Sequence, residues 1–158
     1  MRFTTARTFN QGWTTVEYVA SALLDLDLHL AQSPDDFHPG KFDVTSFEQS
    51  ALARIGMPSE IVMRHRLPQF QHVFSGPGYA SGYYSYMWSE VLDADAFTAF
   101  EESGDIFDAA TARKLHDHVY AAGGARDPAE LYAAFRGRLP TPDGLLRGRG
   151  LLDPITAE

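Results

Sequence analysis

From Trp13 to Leu30 the chain reads WTTVEYVASALLDLDLHL, apolar on nearly every side of a helix and broken by a drifting polar row of Glu17, Ser21, Asp25 and His29. Surface helices keep a wide polar face, so this pattern predicts a central helix that packs on several sides. Turn residues follow at Ser33-Pro34-Asp35-Asp36 and His38-Pro39-Gly40. A second, shorter helix is expected from a Thr45 or Ser46 cap, with Glu48 placed for a capping box and an end near Gly56-Met57-Pro58. Between Arg64 and Gly82, RHRLPQFQHVFSGPGYASG alternates polar and aromatic residues and closes in glycines, which predicts an extended segment and a mobile loop. Helical spacing returns from Tyr79 or Ala80 to about Glu102, with Tyr79, Tyr83, Tyr86 and Glu90 on one stripe and Tyr84, Met87, Val91 and Ala94 on another. Ser103-Gly104 stops this helix. Asp108 is placed to cap a helix reaching about Ala122, Gly123-Gly124 to end it, Asp127-Pro128 to open another through Phe135, and Thr141-Pro142-Asp143 to start a last short turn. The expected fold is mainly α, bundle-like, with five or six helices, little or no strand and a single helical domain over residues 1–158.

Composition narrows the setting. With 158 residues, 44% hydrophobic and 22% charged, the chain can bury a core and is not a disordered segment. Its 13 Lys+Arg against 21 Asp+Glu leave a net charge of −8, which argues against a nucleic-acid partner. Cysteine is absent, excluding disulfides, thiolate catalysis and Cys-ligated zinc. No apolar stretch follows Met1-Arg2-Phe3, and none approaches the ~18–20 apolar residues of a membrane span, so a cytoplasmic location without a membrane partner is expected.

Candidate chemistry is concentrated in one place. The zinc-hydrolase motif HExxH is missing, and His116 and His118, two apart on a predicted helix, point to different sides. The Glu17, Asp25 and His29 row reads as a satisfied hydrogen-bonding or solvent-facing row, and Asp93, Asp95, Asp27 and the Arg126-Asp127 pair as solvation and capping. The segment around Tyr79, Tyr83, Tyr84 and Tyr86 differs, with four phenols in eight positions preceded by His72 and a glycine-flanked loop. Neutral phenols can donate to a developing oxyanion, where losing one donor typically costs ~10²–10³ in rate. The same tyrosines could equally pack in a core with their hydroxyls satisfied, and composition does not choose between the two.

The run HVFSGPGYASGYYSYMWSEVLDADAFTAFEESGDIFD, from His72 to Asp108, resembles the C-terminal signature of the thimet oligopeptidase family of zinc metallopeptidases, which includes oligopeptidase A and peptidyl-dipeptidases. ARTFNQGWTTVEYVASALLDLDLH, HRLPQFQH and GGARDPAELYAAFRGRLPTPDGLLRGRGL are similar to the same family in the same order, so the resemblance covers nearly the whole chain. It implies a helical clamshell peptidase cleaving short peptides, with zinc in a deep channel held by the HExxH histidines and a downstream glutamate. Those ligands precede the segment that matches Met1, so the resemblance implies that this chain is a C-terminal part with no cofactor of its own, zinc belonging to the complete enzyme. By the same resemblance Tyr79 and Tyr86 are the catalytic pair that holds substrate and stabilises the oxyanion. His72 is a donor toward bound peptide, Tyr83 a further channel tyrosine, and Gly76, Gly78 and Gly82 belong to the flexible loop, while Tyr84 is assigned to packing. The expected partners are the peptide and either the missing catalytic half or a second copy of the chain, and no turnover is expected from the chain alone. The alternative is a non-catalytic helical module that binds peptides or partners.

Overall fold

A computed structural model describes residues 6–30, 38 and 40–153. The turn expected at Ser33-Pro34-Asp35-Asp36, and Pro39, lie outside the described residues. The helices are α1 (Gln11–His29), α2 (Val44–Arg54), α3 (Ser85–Ser103), α4 (Ala109–Leu115), α5 (Pro128–Arg136) and α6 (Asp143–Gly148), with short 3₁₀ turns at Leu67–Gln69 and Gln71–Phe74. No strand occurs among the described residues, so the mainly α expectation holds. The chain divides into two compact units, Asn10–Tyr86 and Met1–Phe9 with Met87–Glu158.

In the Asn10–Tyr86 unit, Ala20, Leu24 and Leu28 of α1 form a buried cluster with Ala51 and Leu52 of α2, Met63 and Leu67. Burying a leucine as completely as Leu24 stabilises the fold by about 1.5–3 kcal/mol, which makes this stripe the main anchor of the unit. The polar row of α1 lies inward as well, for Ser21 and Asp25 are fully buried, whereas Trp13, Val16, Leu23 and Leu30 are exposed. Helix α2 departs from expectation at its start. Its cap is Asp43, whose carboxylate accepts from Thr45 N at 3.0 Å and from the Ser46 hydroxyl at 2.6 Å. These bonds, the Ser46 hydroxyl first, hold the Asp43 carboxyl below its ordinary value. Glu48 makes no capping box; it is buried, accepts from Leu67 N at 2.6 Å and pairs with Arg66, so it binds the 3₁₀ segment to α2. The stretch expected to be extended is thus curled into 3₁₀ turns, with Pro68 in the first of them and buried Leu67, Phe70 and Val73 spaced by three residues.

In the Met87–Glu158 unit, Asp108 and Asp127 cap α4 and α5 as expected, each accepting from two backbone N–H groups. Past Leu115 the ladder widens to a π turn over His116–Tyr120, closed by Ala121 N on His116 O at 2.8 Å. Val91, Leu131, Tyr132, Phe135 and Leu145 are buried in this unit, together with the carboxylate of Asp95. Asp95 accepts from the Tyr132 hydroxyl at 2.7 Å and from Arg138 at 2.6 Å, and lies 3.4 Å from Arg136 Nε. Reading Asp95 as a solvation or capping carboxylate is therefore corrected, and of the two readings open for Asp25 the satisfied hydrogen-bonding one holds and the solvent-facing one does not, since both carboxylates sit inside and tie segments distant in sequence together.

Candidate functional site

The glycine loop is a series of four-residue turns that share their end residues. Tyr79 N donates to Gly76 O at 3.0 Å, Gly82 N to Tyr79 O at 3.2 Å, and Ser85 N to Gly82 O at 3.1 Å. Gly76 has φ +146°, a conformation that side chains disfavour, and a Cβ on Gly82 would lie 3.2 Å from Tyr79 O. Gly78 has neither constraint, so nothing in the backbone demands glycine there. The turns delay the start of α3 to Ser85, which corrects the expected start at Tyr79 or Ala80 and the placing of Tyr79 and Tyr83 on a helical stripe.

The turns nevertheless bring the tyrosines together. The His72 ring lies 5.0 Å from Tyr79, 5.4 Å from Tyr83 and 5.6 Å from Tyr86, centroid to centroid, each pair roughly edge to face. The Tyr86 hydroxyl and His72 Nε2 are hydrogen-bonded at 3.1 Å. Tyr83 packs further on Tyr86 at 5.8 Å, on Phe70 at 4.9 Å and on Tyr18 at 5.1 Å, and His65 stacks on Phe70 at 5.0 Å. Tyr79 is 45% and Tyr86 48% exposed, so both can reach a ligand, while His72 and Tyr83 are partly buried. Tyr84, expected to pack, is itself 49% exposed. Burial raises the Tyr83 phenol above its ordinary value, opposed by Arg64 and assisted by Tyr86, so this group stays a neutral donor.

Three residues of this assembly, Tyr18, Asp25 and His29, had been read only as part of the α1 pattern. Asp25 Oδ1 accepts from Ser81 N at 3.1 Å and Oδ2 from Tyr83 N at 2.9 Å, and the Tyr18 hydroxyl donates to Tyr83 O. His29 Nδ1 lies 2.8 Å from both Asp25 Oδ1 and Asp25 O; facing two acceptors, it carries the ring hydrogen. The signal was present in the sequence as Tyr18, Asp25 and His29 at spacings of seven and four, which place them on one face of a helix.

Among the described residues no three His, Asp or Glu side chains gather in an arrangement able to hold a metal ion. They do not fit a zinc centre, and the chemistry open to the His72 and tyrosine cluster is that of hydrogen-bond donors. A separate cavity of about 680 Å³ in the Met87–Glu158 unit, lined by residues including Asp93, Phe97, Glu101 and Arg147, holds none of the candidate residues. No helix among the described residues is long and apolar enough to cross a membrane.

Sequence comparison agrees with the motifs. The chain is 38% identical over 150 residues to the probable cytosolic oligopeptidase A of Arabidopsis thaliana, covering 93% of this chain and 21% of that protein. It is 36% identical over 147 residues to oligopeptidase A of Escherichia coli, covering 92% and 21%. With the dipeptidyl carboxypeptidase of Salmonella typhimurium it shares 35% over 152 residues, covering 95% and 21%. The chain therefore spans about a fifth of the length of these curated relatives. Residues 1–151 match peptidase family M3, and with its helical fold and these relatives the chain belongs to that family.

Proposed function

We propose that this chain is the substrate-binding and oxyanion-stabilising part of a zinc metallopeptidase that cleaves short peptides, and that it does not turn over peptide alone. The observation that carries the reading is the gathering of Tyr79, Tyr83 and Tyr86 around His72, with Tyr79 and Tyr86 open to solvent. As a peptide carbonyl becomes tetrahedral its oxygen gains negative charge, and the preformed Tyr79 and Tyr86 hydroxyls donate more strongly to that oxygen than to the ground-state carbonyl. His72 orients Tyr86 through their hydrogen bond and offers its ring to the bound peptide. Zinc, when bound in the complete enzyme, supplies a polarised carbonyl and an activated water. The exposed stripe of Trp13, Val16 and Leu23 on α1, continued by Leu30 at its C-terminal cap, is the face that the remainder of such an enzyme covers, a reading supported by the one-fifth share of the relatives' length spanned here.

The test pairs binding of a labelled short peptide with cleavage of a quenched fluorescent peptide, with and without added zinc, alongside metal analysis. Binding without turnover, weakened in Tyr79→Phe and Tyr86→Phe, is the expected result. Undetectable binding overturns the donor role. Zinc-dependent turnover by this chain, abolished in Tyr86→Phe, overturns the expectation of inactivity alone.

A further inference from the structure

We propose that Tyr18 and Asp25 of α1 are positioning residues that set Tyr83, and through it His72 and Tyr86, by clamping the two backbone polar groups of residue 83. The inference rests on reading the tyrosine cluster as the peptide site. The Tyr18 hydroxyl donates to the Tyr83 carbonyl, and Asp25 Oδ2 accepts from the Tyr83 N–H at 2.9 Å. Seven residues separate the two clamping side chains, about two helical turns, so they project from one face of α1 and reach the two sides of one peptide segment.

The clamp has further features that packing alone does not require. The Asp25 carboxylate is fully buried, a costly place for a charge unless donors surround it, and its donors are two loop N–H groups and the His29 ring. One of those N–H groups belongs to Ser81, whose φ of +56° is a conformation that non-glycine residues seldom hold without outside support. The Tyr18 ring stacks on the Tyr83 ring at 5.1 Å, 21° from parallel, and Tyr83 also meets His72 and Tyr86 edge to face. Their effect on the rest of the cluster, that of Tyr18 and Asp25, runs through Tyr83.

The experiment uses the full chain with ¹³C-labelled tyrosine and histidine rings, comparing Tyr18→Phe, Asp25→Asn and the unaltered protein by NMR, with far-UV circular dichroism as a control. The expected result is that the ring signals of Tyr83, His72 and Tyr86 shift in both variants, while those of Tyr132 and the helical signal do not. Affinity for the labelled peptide is expected to fall about tenfold, and Asp25→Glu to restore part of it. Unmoved His72 and Tyr86 signals overturn the proposal, as does a shift of every ring in the chain. If Asp25→Asn fails to fold, Tyr18→Phe, which removes one oxygen and keeps the ring, decides the matter. If the unaltered chain binds no peptide, the reading of the site fails while the ring shifts still decide the positioning role.

Discussion

The Tyr86 hydroxyl is hydrogen-bonded to His72 Nε2 at 3.1 Å, joining the first turn of α3 to the 3₁₀ segment fourteen residues earlier. That bond fixes where the phenol lies before any ligand arrives. In a complete M3 peptidase carrying these residues, Tyr86→Phe is expected to lower kcat by ~10²–10³ and leave KM nearly unchanged, because the donor matters most once charge develops on the carbonyl oxygen. Steady-state kinetics on a quenched peptide check this, and a rise in KM at constant kcat would instead assign Tyr86 to ground-state binding.

The Asp95 cluster predicts a large loss of stability. Asp95→Ala leaves Arg136 and the Tyr132 hydroxyl, both mostly buried, without their shared acceptor, although Arg136 keeps Glu102 at 2.7 Å. Breaking such a buried arrangement costs about 3 kcal/mol. Urea unfolding of Asp95→Ala and Asp95→Asn, with the asparagine variant the less damaged, measures it.

Alkaline pH should weaken the fold through two phenols. Burial, together with the hydrogen bond to Asp95 in the case of Tyr132, raises Tyr132 and Tyr83 above the ordinary value of 10.0. The folded chain then holds these protons more tightly than the unfolded chain. Their contribution is complete below about pH 10 and is lost as pH climbs through the raised folded-state values. Melting temperature followed from pH 8 to the alkaline limit should fall at the top of that range, and Tyr132→Phe should flatten the fall.

Gly144 marks a close helix contact. A Cβ at this position would lie 3.0 Å from Ala94 C and O and 3.2 Å from Asp95 N, all backbone atoms that no rotamer change can move aside. Gly144→Ala is expected to cost about 1–3 kcal/mol through overpacking of α6 on α3. Unchanged thermal stability would show that the two backbones separate more easily than that.

Much of this fold was legible because its signals are local. Apolar periodicity placed α1 within two residues of its observed start, and Asp108 and Asp127 announced the helices they cap. What was not legible depended on partners far along the chain. Glu48 looks like a capping residue until Leu67 N arrives from nineteen positions away, and Asp25 looks like one of a polar row until Ser81 and Tyr83 reach it. Tyr79, Tyr83 and Tyr86 were singled out by density and family resemblance. Their meeting point at His72 is produced by turns that the helical spacing had concealed.

Those turns impose a counting rule on the loop. Residues 76, 79, 82 and 85 are successive corners, so each tyrosine's place is set by how many residues precede it within the series. Substitution at Pro77 or Ala80 leaves the count intact and should be absorbed. Removing Pro77 would rotate Tyr79 out of step with His72, and removing either residue would shorten the reach by which Tyr83 N meets Asp25, although no contacting side chain had been altered. In this segment length carries the information that identity carries elsewhere in the chain.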